Sequence, residues 1–251
     1  MIHIPAGLAD LVAGAKSIAV LTGAGVSAES GISTFRDAHG LWSRFNPDEV
    51  ATREAFLRDP VKVWDWYAER RVQIALAEPH AGHYALVEME RRSREFALVT
   101  QNIDEMHRRA GTKRLIELHG SISRVKCFDE DVVVDEWDAT GEVPPRCPQC
   151  GSRLRPDVVW FGESLPIDAL GEAIAAAQRC DVFISVGTSG LVEPAASLPF
   201  EALRARAAII EVNPEETPVS PFVRYALRAP AGEALPALVR AAWPGSELIG
   251  G

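Results

Sequence analysis

Ser17-Ile18-Ala19-Val20-Leu21-Thr22-Gly23-Ala24-Gly25-Val26-Ser27-Ala28 is the stretch on which the fold turns. Its first five residues form a short apolar, partly β-branched run that reads as a buried parallel strand. Gly23-x-Gly25-x-x-Ala28 follows at once and fits a turn that lets backbone approach a pyrophosphate closely. An ordinary glycine-rich strand-to-helix turn would look the same. A hydride-transfer enzyme would next need a second strand ending in an acidic residue about 20 positions on. Residues 32–46, with Phe35-Arg36-Asp37, contain no strand-like run. The loop therefore suits a dinucleotide, but outside the hydride-transfer arrangement.

Working outward, apolar runs at 95–99, 114–118, 181–186 and 207–212 read as further strands. Helical patterns cover 60–77, 80–92, 170–179, 195–204 and 232–242, two of them opening beside a proline. Strands alternating with helices imply an α/β fold, a mostly parallel sheet covered on both faces. Ligands of such sheets bind beyond the carboxyl ends of the strands. Gly23, Gln101, His119, Gly187 and Asn213 each follow a strand, so five strand ends describe one site. Residues 121–161 break the alternation with Cys127, an acidic stretch at 129–138, Pro144-Pro145 and Cys147-Pro148-Gln149-Cys150-Gly151. They read as an inserted small module.

The bulk numbers bound the function. A chain of 251 residues has room for one substantial core and a small appended module. A formal charge of −9 argues against a nucleic-acid binder that works by neutralising phosphates, while an acidic surface tolerates basic protein substrates. No stretch approaches the roughly 18 unbroken apolar residues of a membrane span, and residues 1–5 lack the pattern of a secretory signal. Four cysteines are too few for a disulfide scaffold and fit a reducing interior. The expectation is a cytoplasmic monomer with neither a nucleic acid nor a membrane as partner.

His119 stands at a strand end before Gly120, and histidine is the side chain whose pKa suits general-base work near neutrality. A lone histidine is more often structural. Gln101, Asn102 and Asp104 are each ordinary turn and capping residues, but three at the mouth of one parallel strand are less easily set aside.

Taken in order, Gly23-Ala24-Gly25-Val26-Ser27, Gly31-Ile32, Phe35-Arg36, Thr100 to Asp104, His119-Gly120, Gly187-Thr188-Ser189 and Asn213 resemble the sirtuins, NAD-dependent protein deacylases. The similarity runs over about residues 14–240. It implies a Rossmann-like domain built from 1–34, 80–120 and 162–251. A small domain would comprise a helical part, 35–79, and a zinc-ribbon-like part, 121–161. NAD and an acyl-lysine of a protein substrate would meet between the two. By resemblance, Gly23, Ala24, Gly25 and Ser27 line the pyrophosphate, and Phe35 and Arg36 lie on a cofactor loop near the nicotinamide ribose. Asn102 and Asp104 belong to the nicotinamide and ribose pocket, Asn102 being counted with His119 as catalytic. Gln101 contacts the ribose, Thr188, Ser189 and Asn213 face the adenosine half, and Ile103, Gly187 and Ala231 complete the cofactor contacts.

The chemistry implied is coherent. Departure of nicotinamide from C1′ is captured by the acyl oxygen held in line, an effect of proximity rather than of nucleophile strength. His119 as general base then draws a proton from the ribose hydroxyls so that the acyl group migrates. Products would be free lysine, nicotinamide and O-acyl-ADP-ribose. Other readings of the same pocket are an NAD or ADP-ribose sensor without turnover, and an NAD hydrolase or ADP-ribosyltransferase.

Two details separate this chain within that resemblance. Sirtuins pair Cys147-x-x-Cys150 with an earlier C-x-x-C, but here the partner of Cys127 is Glu130. Three thiolates and the Glu130 carboxylate would complete a tetrahedral zinc site; equally, the cysteines packed as small hydrophobes would hold the module without metal. The second detail is Tyr67 and Arg70, three apart and so on one face of the predicted helix. In their setting of Trp64, Tyr67, Arg70 and Arg71 they match the acyl-pocket pair of class III sirtuins, which binds the distal carboxylate of succinyl-, malonyl- or glutaryl-lysine. A core-edge tyrosine beside a solvated arginine is the plain alternative, and with it a plain deacetylase. Val159-Trp160-Phe161 resembles the substrate-lining strand, whose backbone pairs with the peptide and whose rings flank the lysine stem.

Overall fold

The computed structural model describes residues 2–34 and 45–246. Along the chain run α1 (Ala6–Gly14), β1 (Ser17–Thr22), α2 (Ala24–Ala28), α3 (Pro47–Val50), α4 (Arg53–Arg58), α5 (Pro60–Leu76), α6 (Ala81–Arg92), β2 (Glu95–Thr100) and α7 (Met106–Ala110). There follow β3 (Leu115–Glu117), β4 (Gly120–Cys127), β5 (Leu154–Val158), α8 (Ile167–Arg179), β6 (Val182–Val186), α9 (Leu198–Arg204), β7 (Ala208–Val212), β8 (Tyr225–Leu227) and α10 (Ala231–Ala242).

Six strands form one parallel sheet in the order β3-β2-β1-β6-β7-β8. Numbering only these six, the order is 3-2-1-4-5-6, the doubly wound arrangement in which the chain reverses direction of growth beside the first strand. Side chains alternate between two cores. Ile18 and Val20 join Leu98, Ile184 and Ile210 under α1, α6 and α10. Ala19 and Leu21 join Val99, Phe183 and Ile209 under α8 and α9. A strand covered on both faces has no polar side to present, hence the unbroken apolar run at 18–21.

Helix ends follow local chemistry. The Asp59 carboxylate caps α5 by accepting from Lys62 N (3.0 Å), with Pro60 at the first helical position. His80 caps α6 in a reciprocal box, its Nδ1 accepting from Gly82 N while His83 Nδ1 accepts from His80 N.

Outside the sheet, a third core joins Val50, Phe56, Val63, Trp66 and Tyr67 to Ile122, Phe128, Val158 and Trp160. Two separate excursions of the chain thus share one apolar interior. The inserted module is an antiparallel pair, β4 with β5, interrupted by an irregularity between Ser121 and Val125. Differences from the sequence reading are local. The strand expected at 114–118 is Leu115–Glu117, and the helix expected at 195–204 opens with a 3₁₀ turn before α9. Helix α1 and strand β8 carry no strong periodic signal, and β8 is only three residues long. Among the described residues no helix is long and apolar enough to cross a membrane.

Candidate active site at the carboxyl edge of the sheet

Register places the strand ends in one line. Glu117, Thr100, Thr22, Val186 and Val212 are successive neighbours across the sheet. The next residue on each strand is then Leu118, Gln101, Gly23, Gly187 and Asn213, with His119 one step beyond. Four of the five expected strand-end residues share a row, and His119 stands just outside it.

The glycine turn crosses the end of β6 at backbone contact. Gly23 N donates to Val186 O (3.1 Å) and Gly25 N to Gly187 O (2.8 Å). A Cβ on Gly25 would sit 2.8 Å from Gly187 O, and one on Gly187 only 2.6 Å from Val26 N. The close approach therefore serves the packing of this turn on the neighbouring strand, while Gly25 itself stays exposed. Ala24, the first residue of the short helix α2, is half-buried beside it.

Beneath the turn lies a closed polar network. Asn102 Nδ2 donates to Gly23 O and to Ser27 Oγ, both at 3.0 Å. The Ser27 hydroxyl donates to Asp104 Oδ2 (2.5 Å), and Met106 N donates to Asp104 Oδ1 (3.0 Å). Burial pushes the Asp104 carboxyl above its ordinary pKa, against the pull of these donors. The three side chains are buried and brace one another, so the loop after β2 is tied to the glycine turn. Gln101 reaches the other way: its Nε2 donates to Thr188 Oγ1 (3.0 Å), and Asn213 Nδ2 donates to Thr188 O (2.9 Å). Ser189 is exposed at the rim. Ile103 packs against the third core, and the Ala231 side chain is buried in the first, leaving backbone as its route to any cofactor. Phe35 and Arg36 lie outside the described residues.

His119 Nδ1 lies 2.8 Å from Gln101 O. A carbonyl only accepts, so Nδ1 carries the hydrogen and Nε2 is the bare nitrogen of the neutral ring. Burial lowers the pKa of the ring, and the carbonyl bond only partly opposes that. His119 is thus neutral near pH 7 with its lone pair on Nε2, the form a general base requires.

Reasoning from the sequence missed a second histidine group behind the site. His80 Nε2 is 2.6 Å from Val26 O, and His107 Nε2 is 3.0 Å from Thr22 Oγ1. His83 lies between them, its ring centroid 4.2 Å from that of His80 and 4.9 Å from that of His107. The spacing of His80 and His83 on either side of a helix start was the available signal.

On the small lobe, Tyr67 and Arg70 are both buried on one face of α5. The Arg70 guanidinium lies over the Trp66 ring at 4.1 Å, and Nη1 is 3.5 Å from Gln73 Oε1. Burial pushes the Tyr67 phenol well above its usual pKa, so it stays protonated. The lining strand departs from expectation. Trp160 is only 2 % exposed, and its ring is turned inward behind Tyr67, so Phe161, 44 % exposed, is the ring left at the surface. The amides of Val159, Trp160 and Phe161 donate to His119 O, Glu163 Oε2 and Ala51 O.

Cys127, Cys147 and Cys150 converge with their sulfurs within 4.8 Å of one another. That donor set fits a thiolate-held zinc ion. The Glu130 carboxylate is not part of the cluster: Glu130 is exposed and contributes only its backbone N–H, 3.5 Å from Cys127 Sγ. Of the two arrangements open in the sequence, the one that adds the Glu130 carboxylate to the thiolates is not assembled by the fold.

Residues 23–194 match the model of the Sir2 family. A relative from Aquifex aeolicus named NAD-dependent protein deacylase is 54% identical over 205 residues, covering 81% of this chain and 86% of its own. This chain belongs to the Sir2 family. NAD-dependent protein deacylase 1 of Archaeoglobus fulgidus is 48% identical over 235 residues, covering 93% and 96%. A crystal structure described as a Sir2 homolog–NAD complex superposes with a TM-score of 0.88 at 47% identity, covering 96% of this chain and 94% of that one. Val159 N donates to His119 O (3.0 Å), which ties the segment after β5 to the row of strand ends.

Proposed function

We propose that this Sir2 protein removes succinyl and malonyl groups from protein lysines in addition to acetyl groups. The chain is an NAD-dependent protein deacylase. The residues present fit NAD, because the exposed Gly25 turn brings backbone to the strand ends and the bonds of Gln101, Asn102 and Asn213 hold a polar edge of fixed shape beside it. When bound, NAD supplies a C1′ carbon that the acyl oxygen attacks as nicotinamide leaves. The protein's part is orientation and proton transfer. Asn102, Asp104 and Ser27 hold the loop after β2 rigid, which favours one in-line pose. His119 Nε2 takes the ribose hydroxyl proton, with the positive charge shared through Nδ1–H to Gln101 O.

One observation carries the acyl preference: Tyr67 and Arg70 lie buried on one helix face, the guanidinium stacked on Trp66. A cation in a partly dry pocket forms a charge-assisted bond with an acyl carboxylate worth about 1.5–3 kcal/mol, while an acetyl group offers that charge no anion. Incubation with NAD and acetyl-, succinyl- and malonyl-lysine peptides, read by mass spectrometry, tests this. Arg70→Met should lower kcat/KM for succinyl-lysine about ten- to hundredfold, mostly through KM, because the contact exists in ground and transition states alike. Equal losses on acetyl- and succinyl-lysine would reduce α5 to a structural support. The four free thiols suit a reducing compartment, and we place the enzyme in the cytoplasm.

A further inference from the structure

Trp160 spends its indole on the residue that reads the acyl group. Nε1 lies 2.9 Å from Tyr67 Oη, and both side chains are buried. An indole N–H only donates, so Tyr67 Oη is the acceptor. A hydroxyl that accepts from a donor cannot aim its own hydrogen at that donor. The Tyr67 hydroxyl must therefore point its own hydrogen away from Trp160. Accepting one hydrogen bond also strengthens the bond that the same hydroxyl donates.

The donor that imposes this is itself clamped. Arg155 is completely buried, with its guanidinium carbon 3.4 Å from the centre of the Trp160 ring. The Glu163 carboxylate grips Arg155 through both oxygens, at 2.5 and 2.9 Å, and accepts the Trp160 backbone N–H at 2.8 Å. Arg155 also donates to Val158 O (2.6 Å). Ring and backbone of Trp160 are thus both fixed, leaving the indole N–H no other direction. A guanidinium over the indole face withdraws electron density from the ring and makes its N–H the better donor.

We propose that Trp160 is a specificity-determining positioning residue: through its indole N–H it commits the Tyr67 hydroxyl to donate, which favours an acidic acyl group over a neutral one. Trp160 touches neither cofactor nor acyl group in this role; it acts through Tyr67. The inference rests on the acidic-acyl reading of Tyr67 and Arg70 above.

Trp160→Phe keeps an aromatic ring under Arg155 and removes only the donor. The ratio of kcat/KM for succinyl-lysine to that for acetyl-lysine should fall about three- to tenfold, the loss lying in KM for the succinyl peptide. In a Tyr67→Phe background the same change should leave the ratio where Tyr67→Phe alone put it, since no hydroxyl remains to be oriented. Replacing Trp160 by benzothienylalanine, an isosteric ring with sulfur in place of N–H, should reproduce the shift and guards against a Phe variant that folds poorly. Three results overturn the proposal. One is an unchanged ratio in a folded protein whose selectivity still depends on Arg70. Another is a further fall of the ratio in the Tyr67→Phe background. The third is failure of the isosteric variant to fold, which would make the bond purely structural. A native protein that ignores succinyl-lysine would sink the acyl-pocket reading itself, and would be recognised before any variant is made.

Discussion

A single hydrogen sets the chemistry of His119. With Nδ1–H committed to Gln101 O, the lone pair is confined to Nε2, and burial keeps the ring from charging. His119→Ala should cut deacylation by about 10²–10⁴-fold while NAD binding, followed by calorimetry, largely survives. Turnover near that of the native enzyme would remove His119 from the mechanism. The acid limb of kcat/KM carries the sign of the shift. The base is active when neutral, so activity is lost as pH falls through its folded pKa, which lies below the ordinary value of about 6.5. A limb centred above 6.5 would contradict a buried His119 ring. His119 was legible from its place past a strand end and before Gly120. Its tautomer was not, because that depends on a carbonyl 18 positions away that only the sheet brings near. Trp160 was misplaced for a similar reason: sequence shows a ring on a lining strand, but not which side the ring faces.

At the scale of elements, two turns lie backbone against backbone, and neither can yield. Gly25→Ala would put a methyl 2.8 Å from Gly187 O and 3.0 Å from Gly187 Cα. Separating the turn from β6 should cost about 1–3 kcal/mol and weaken NAD binding, visible together as a lower Tm and a raised Kd. An alanine variant with both unchanged would mean that the crossing is looser than the contacts imply. The glycine pattern after β1 is readable in the sequence, whereas the packing of Gly187 against it is not, since one sequence does not show which turns cross. The cysteine module divides similarly. Its C-x-x-C spacing was plain, yet the β4–β5 pair is short, irregular and mixed in polarity, with no alternation to read. If the three thiolates hold zinc, elemental analysis should find about one metal per chain, and Cys150→Ser should lower Tm. Metal-free protein of equal stability would leave the cysteines as packing.

For the molecule as a whole, the histidines behind the site set a limit on acid tolerance. Burial takes His83 down to about 2 and His107 to about 3, whereas both return to about 6.5 on unfolding. Below 6.5 the unfolded chain binds protons that the folded chain refuses, so stability is complete above that pH and drains away beneath it. Each ring should contribute a slope of about 1.4 kcal/mol per pH unit. Denaturant melts between pH 7 and 5 should show the midpoint falling, and His83→Asn should flatten the fall; a flat profile in the native protein would refute it. The doubly wound order was legible only as a class, from alternating strands and helices. Which strand lies beside which is set by contacts far apart in the chain, and the shared core of the small lobe by two excursions more than fifty residues apart, as Val63 and Ile122 illustrate.

The same sheet order has a meaning for biosynthesis. Strand β1 emerges early and finds β2 on one side, but the backbone of Ser17 meets Asp181, 164 residues later, on the other. At about 5–20 residues per second, a ribosome needs roughly ten to thirty seconds to cover that interval. Throughout it one of the two central strands of the finished sheet is an open edge, and Gly25 has no Gly187 to lie against. The glycine turn is among the first pieces made, yet it is completed only when Gly187 arrives.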